Sequence, residues 1–388
     1  MWETIKTPAY VVDEKKLREN LECLHRVEEE TGCHILLAQK AFSMFRVYPL
    51  IGSYLSGTTA SGLYEARLGY EEMKKENHVF APAYKTEDMK ELVTICDHII
   101  FNSFAQFEKH KEIISAYNNS QRENGNRVSI GMRVNPEFST QEGHAIYDPC
   151  APGSRLGVVR AKFPETLPEE IEGLHVHTLC EQDSDDLEAT FNAFEKSFEP
   201  YLKKIKWLNL GGGHHITRPG YDVERLERCI RMVQEEWKTE VYLEPGEAWA
   251  LNAGFLLTSV LDVLKNGETQ IAIVDASAAC HMPDVLEMPY RPPLLGAADE
   301  TTENEVTVRL GGPTCLSGDI IGDYKFNKLP EYGDLLLFGD MAIYTTCKNN
   351  TFNGMPLPDI WLRRADNTMQ KLTDFGYMDF KERLGSRE

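Results

Sequence analysis

Apolar residues along this chain fall into short runs separated by amphipathic stretches. Runs of strand length cover residues 33–38, 58–60, 78–81, 98–102, 128–134, 171–177, 207–210 and 240–244. Between most of them, residues 62–71, 86–95, 103–116, 185–202 and 222–237 place apolar side chains three and four apart, the spacing of one helical face. Parallel strands that alternate with helices eight times over roughly 220 residues predict a (β/α)8 barrel, with an open doubly wound sheet as the rival fold. Upstream, residues 7–13 read as a strand opened by Pro8, and residues 14–30 as a helix.

The texture changes after Ala250. Residues 255–263, 270–274, 306–310 and 334–338 are strand-like and separated by Gly, Pro and Asn, with little helical spacing. The expected organisation is therefore a barrel over residues 14–250 and a mainly β domain over 251–388, joined by an N-terminal strand in residues 1–13.

Composition narrows the functional classes. The chain has 388 residues, of which 42% are hydrophobic and 26% charged, as in ordinary globular proteins. No apolar run is long enough for a membrane span, and Met1-Trp2-Glu3-Thr4 lacks the features of a signal peptide, so a cytoplasmic protein is expected. Nine cysteines without a CxxC pair indicate neither a disulfide framework nor a structural zinc site. A net charge of −20 argues against nucleic acid and anionic membranes as partners and favours a cationic small molecule.

Candidate chemistry gathers at the C-terminal ends of the predicted barrel strands, the edge where such barrels carry active sites. Lys40 closes the first apolar run, in Leu36-Leu37-Ala38-Gln39-Lys40. Burial drives an ammonium toward its neutral, nucleophilic form, which suits a Schiff-base lysine, whereas a strand-end lysine also reaches water readily. Gly211-Gly212-Gly213 follows the seventh run and offers unobstructed backbone N–H groups to a phosphate, or forms a tight turn. His175 and His177 project from one side of their strand. With His214-His215 and Glu244 they form a conceivable metal set, but HExxH or comparable ligand spacing is absent and no metal is assigned. Glu244, before Pro245-Gly246, is a buried carboxylate in need of a partner. In the β domain, Cys315 lies in Gly312-Pro313-Thr314-Cys315, with Asp319 near it, and is a candidate proton donor or nucleophile.

Taken in order, Thr7-Pro8-Ala9-Tyr10, Lys40, His177, the glycine run, Glu244-Pro245-Gly246, Gly312-Pro313-Thr314-Cys315, Tyr344 in Met341-Ala342-Ile343-Tyr344 and Phe352-Asn353-Gly354 resemble the fold-type III pyridoxal-phosphate decarboxylases. That family includes ornithine and diaminopimelate decarboxylase. Ala38-Gln39-Lys40-Ala41-Phe42 and Leu174-His175-Val176-His177-Thr178-Leu179-Cys180-Glu181 look most like its carboxynorspermidine/carboxyspermidine branch, as does Glu244-Pro245-Gly246-Glu247-Ala248.

The resemblance implies pyridoxal 5'-phosphate as cofactor and an alanine racemase-like fold. It makes Lys40 the covalent anchor, His177 a ring-stacking residue, Gly211, Gly212, Gly213 and Tyr344 the phosphate site, Glu244 the partner of the pyridine nitrogen, and Cys315 the donor of a proton to the α-carbon. It also implies a homodimer in which the cysteine loop comes from the partner subunit. Two departures from ornithine decarboxylase stand out: Glu247 replaces a phosphate-binding arginine, and Cys180 stands in place of a serine. Glu247, Asp284 and Asp319 are accordingly expected to serve a substrate with secondary and terminal amines, with surface charge as the alternative for Glu247 and Asp284. Leu316, where ornithine decarboxylase is acidic, weighs against ornithine. The expected reaction is decarboxylation of carboxynorspermidine or carboxyspermidine, with diaminopimelate decarboxylation and a catalytically silent regulatory homologue as rivals.

Overall fold

A computed structural model describes residues 2–121, 125, 127–142, 145–296 and 305–385. The chain divides into two compact units, residues 19–249 and residues 1–18 with 250–388.

All eight predicted parallel strands are present in the first unit. In chain order they are His34–Ala38, Gly57–Ala60, Glu76–Phe80, His98–Phe101, Ser129–Asn135, Ile171–Val176, Trp207–Asn209 and Glu240–Leu243. The last pairs with the first, Tyr242 opposite His34 and Leu243 opposite Ile35, and every neighbour in between is also parallel. That closure makes a barrel and rules out the open sheet. A two-residue strand, Val158–Val159, adds to the flank of Ser129–Asn135.

The helices follow from their apolar spacing and caps. Ser184–Leu202 begins with a capping box between Asp183 and Asp186, and buries Leu187, Phe191, Phe194, Phe198 and Tyr201 along one face. Val223–Trp237 is capped by Asp222, whose side chain accepts the Arg225 N–H, and buries Leu226, Cys229, Ile230 and Val233. The stretch predicted over 62–71 forms an α-helix only over Leu63–Leu68 and widens into a π-turn at Gly69–Met73. Gly69 lies so close to strand side chains that a Cβ there would stand 2.4 Å from Thr58 Oγ1.

Inside the barrel the Trp207 indole fills the space that two glycines leave open. A Cβ at Gly131 would meet its ring at 2.3 Å, and one at Gly173 at 2.1 Å. Its Nε1–H donates to Ser129 Oγ at 2.8 Å, which satisfies the one polar atom of the ring.

The second unit is built on one sheet. Gly254–Asn266 pairs antiparallel with Thr269–Val274, with Leu335–Gly339 and with the N-terminal strand Ala9–Asp13. Ala9–Asp13 in turn runs parallel to Asp359–Arg363. Because side chains alternate between faces, Tyr10 and Leu256 enter one core with Val274, Leu310 and Phe338, while Ala9, Val11, Phe255 and Leu257 enter a smaller one with Ile5. Strands Ile320–Phe326, Asp359–Arg363 and Met369–Thr373 were not expected from sequence, since each carries charged or glycine residues and is only partly buried. Among the described residues no helix is long and apolar enough to cross a membrane.

Candidate active site

Lys40 stands two residues past the first barrel strand. Its turn is closed by hydrogen bonds from Ala41 N–H to Ala38 and from Phe42 N–H to Gln39, and Phe42 is packed edge-on against Trp249. The lysine lines a cavity of about 150 Å³ together with Phe80, Arg133, His175, His177 and Glu244. Burial pulls the pKa of its ammonium below the ordinary lysine value; Glu244 opposes that pull and the Arg133 cation reinforces it. The result is a buried amine inside a polar cavity.

Glu244 is held from both sides. Its Oε2 is 3.2 Å from His175 Nε2, and its Oε1 accepts from Asn209 Nδ2 at 2.8 Å. His175 and Asn209 are directly paired on neighbouring strands, so the sheet register itself aims both donors at one carboxylate. Burial alone would raise the Glu244 pKa, but the attraction and hydrogen bond of His175, with help from Asn209, hold it at about 2. A carboxylate kept ionised in a buried cavity suits a protonated ring nitrogen.

His177 Nδ1 accepts the Gly212 N–H at 3.3 Å, which fixes the proton on Nε2 while the imidazole is neutral. Burial keeps it neutral, with Lys40 and Arg133 adding to the effect. The glycine run is shaped by its neighbours: Gly211 and Gly213 have φ of 69° and 85°, and a Cβ on Gly212 would lie 2.4 Å from the Glu244 carbonyl oxygen. Gly211 N–H donates to Asn209 Oδ1 at 2.8 Å. Two of the three N–H groups expected to cradle a phosphate are therefore engaged within the protein.

Sequence reasoning missed Arg133. This side chain is 5% exposed, donates to the His177 carbonyl at 3.0 Å and stacks 4.6 Å from the Phe80 ring centre. Burial lowers its pKa to about 10, which still leaves it a cation. An arginine inside the apolar run Ser129-Ile130-Gly131-Met132-Arg133-Val134 was the available signal. Arg133 is a cation that suits a phosphate or a substrate carboxylate. Asn209 was also missed, and His215 was considered only as a conceivable metal ligand.

On the same unit, Glu247 Oε2 lies 2.6 Å from His215 Nε2. Cys180 lies between this acid and the lysine electrostatically: burial pushes its thiol up to about 12, Glu181 and Glu247 adding to the rise and Lys40 opposing it.

The remaining predicted residues belong to the other unit. Cys315 is exposed, and its N–H donates to Asn353 Oδ1 at 3.3 Å. Asp319 is buried and anchors the cysteine loop: Oδ2 accepts from Thr314 Oγ1 at 2.7 Å, and Oδ1 from Ser277 Oγ at 3.0 Å and from Ala279 N–H at 3.2 Å. Asp284 is salt-bridged to Lys348, which also reaches Glu287 at 2.6 Å. Tyr344 takes a left-handed φ of 55° immediately before the short helix Thr345–Lys348.

A family model described as "Pyridoxal-dependent decarboxylase, C-terminal sheet domain" matches residues 9–342. The chain is 41% identical over 392 residues to the carboxynorspermidine/carboxyspermidine decarboxylase of Campylobacter jejuni, covering 98% of this chain and 99% of that one. It is 40% identical over 383 residues to the carboxyaminopropylagmatine decarboxylase of Synechocystis sp., covering 98% and 96%. A crystal structure of carboxynorspermidine decarboxylase from Campylobacter jejuni in complex with norspermidine superposes with a TM-score of 0.89 at 40% identity, over 98% of this chain and 100% of that chain.

Proposed function

We propose, from the premise that the chain belongs to the pyridoxal-dependent decarboxylases, that it removes carbon dioxide from carboxynorspermidine or carboxyspermidine to give the polyamine. The observation that carries the substrate assignment is the near-full-length similarity to the Campylobacter enzyme and to its norspermidine complex. Pyridoxal 5'-phosphate is the cofactor of the family and of this chain. The donor set fits it: a buried amine with a lowered pKa, an ionised carboxylate, a neutral imidazole and a guanidinium all face one cavity.

When bound, the cofactor supplies an electron-poor ring that accepts the electron pair released as carbon dioxide leaves. Lys40 would anchor it covalently through Nζ. Glu244, kept ionised, would hold the proton on its ring nitrogen, His177 would support the ring, and Arg133 would meet the phosphate or the substrate carboxylate. Gly213 and Tyr344 complete the phosphate site. Cys315 delivers a proton to the α-carbon, on a loop tied down by Asp319. Glu247, set by His215, receives a substrate ammonium. The protein is a cytoplasmic homodimer in which each cysteine loop serves the partner's site.

A second reading has a specific observation behind it. The Synechocystis relative is almost as similar, and its name describes the same carboxyaminopropyl group carried on agmatine. Both named substrates share the amino acid head and the adjoining secondary amine, and differ in the tail. Carbon dioxide release by cofactor-loaded protein decides between them, with carboxynorspermidine, carboxyspermidine, carboxyaminopropylagmatine and diaminopimelate compared at equal concentration. Preference for the two triamine acids supports the proposal. Preference for the agmatine compound moves the assignment to a guanidinium tail, preference for diaminopimelate overturns the reading of Glu247, and silence on all four favours a regulatory homologue.

A further inference from the structure

The loop that bears Cys315 leaves the strand Val306–Gly311 and returns as Ile320–Phe326. At its tip three consecutive backbone N–H groups are each accepted by a side chain. Thr314 N–H donates to Asp319 Oδ2 and Leu316 N–H to Thr314 Oγ1, each at 3.4 Å and both within the loop. The middle one, of Cys315, donates to Asn353 Oδ1 at 3.3 Å, across 38 residues of sequence. Asn353 takes φ of 60° and ψ of 14° in the turn Phe352–Gly354. After glycine, asparagine is among the residues that best tolerate this region, so the backbone alone would account for its presence.

The bonds around Asn353 argue for more. Asn350 Oδ1 accepts the Phe352 N–H at 2.9 Å, while Asn350 Nδ2 donates to the Ala279 carbonyl at 2.8 Å. Ala279 N–H donates in turn to Asp319 Oδ1 at 3.2 Å, and Asp319 Oδ2 accepts from Thr314 Oγ1 at 2.7 Å. These bonds form a closed ring that runs from Cys315 to Asn353, through the 350–353 turn to Ala279, then to Asp319 and back to Thr314. Breaking the Cys315–Asn353 bond opens the ring at the residue that carries the thiol. We propose that Asn353 is a positioning residue for Cys315: its carboxamide oxygen holds the backbone of the proton donor and thereby decides where the proton goes after carbon dioxide has left. The proposal rests on the reading of Cys315 as that donor.

The proton has two destinations. Delivered to the substrate α-carbon, it gives the polyamine and returns the cofactor unchanged. Delivered to the former aldehyde carbon of the cofactor, it gives, after hydrolysis by one water, an aldehyde and pyridoxamine 5'-phosphate. In that case the substrate carbon is oxidised and the cofactor reduced by the same electron pair, so no outside oxidant is needed. A misplacement of about 1 Å costs up to about 100-fold in rate, so the loss of one backbone tether is enough to shift the partition. The Cys315–Asn353 bond is itself solvent-exposed and long, and it contributes little to global stability. Its loss is therefore read in the chemistry and not in Tm.

Asn353→Gly separates a backbone role from a positioning role, because glycine accepts the left-handed conformation and removes only the carboxamide. Asn353→Asp keeps an acceptor oxygen. The test uses cofactor-loaded enzyme turning over the substrate preferred in the carbon dioxide assay. Pyridoxamine 5'-phosphate formed per carbon dioxide released should rise about tenfold in Asn353→Gly, in the same direction as in Cys315→Ala, and return toward wild type in Asn353→Asp. Amide hydrogen exchange across residues 312–319, measured without substrate, should accelerate in Asn353→Gly and not in Asn353→Asp, with Tm unchanged in both. Adding Asn353→Gly to Cys315→Ala should shift the partition no further. A wild-type partition in Asn353→Gly beside a shifted one in Cys315→Ala overturns the proposal and leaves Cys315 as the donor. Equal shifts in the Gly and Asp variants also overturn it, since an acceptor oxygen would then be irrelevant. A wild-type partition in Cys315→Ala removes the reading of Cys315, and the proposal with it.

Discussion

Glu244 remains a buried anion because two donors were placed on it by strand register, and its stability contribution follows from that. Its folded pKa of about 2 lies below the unfolded carboxylate value of about 4.3, so the contribution is fully present above the unfolded value and fades as pH falls toward the folded one. Glu244→Gln is therefore expected to unfold at lower urea concentration than wild type at pH 7, with the gap narrowing between pH 5 and pH 3. A gap that stays constant would locate the loss in packing instead of charge. Glu247 offers a different reading of charge. A hydrogen bond between an ammonium and a carboxylate contributes about 1.5–3 kcal/mol, or roughly 10–100-fold in affinity. Glu247→Gln should raise KM for the triamine acid by that factor while cofactor retention is unchanged; equal loss of both would give Glu247 a cofactor role.

At the scale of elements, the barrel was legible because its signal is redundant. Each strand is an apolar run bounded by turn residues, and the Lys40, His177 and Glu244 positions follow directly from strand ends. The strands Asp359–Arg363 and Met369–Thr373 escaped notice because partly buried strands mix polar and apolar residues without a clean alternation. Pairing across space was equally invisible: nothing local in Asn209 or Arg133 says that one will hold Glu244 and the other will line the Lys40 cavity. The partners of Asp284 and Asp319 were invisible for the same reason, since Lys348 and Ser277 lie 64 and 42 residues away in sequence. The glycine pair around Trp207 shows how tightly the strands are specified once folded. Gly173→Ala forces a methyl into the indole, and overpacking of this kind costs about 1–3 kcal/mol. Urea unfolding should register that loss, and Trp207→Leu in the same chain should recover part of it, giving strongly non-additive energies; additive losses would mean that the ring is not the obstacle.

Across the whole molecule, a net charge of −20 surrounds a site meant for a cationic substrate. The Debye length shrinks from about 10 Å at 0.1 M salt to about 3 Å at 1 M, so kcat/KM for the triamine acid should fall over that range while kcat holds. A salt-independent kcat/KM would restrict the electrostatics to direct contacts. The proposed dimer makes its own prediction. Lys40→Ala and Cys315→Ala, each inactive in product formation alone, should recover up to about a quarter of wild-type activity when unfolded and refolded together, because half the dimers are mixed and each mixed dimer has one intact site. No recovery would place both residues of a site on one chain.

The position of Ala9–Asp13, between Gly254–Asn266 and Asp359–Arg363, bears on how the protein is born. Its first strand leaves the ribosome hundreds of residues before its parallel neighbour has been made. The barrel sequence 19–249 emerges complete in that interval and is able to fold while the opening strand waits with both edges unpaired, one of them until Asp359–Arg363 is made. Exposed strand edges recruit other chains, so the interval of translation, more than the finished enzyme, is when this protein is most open to aggregation.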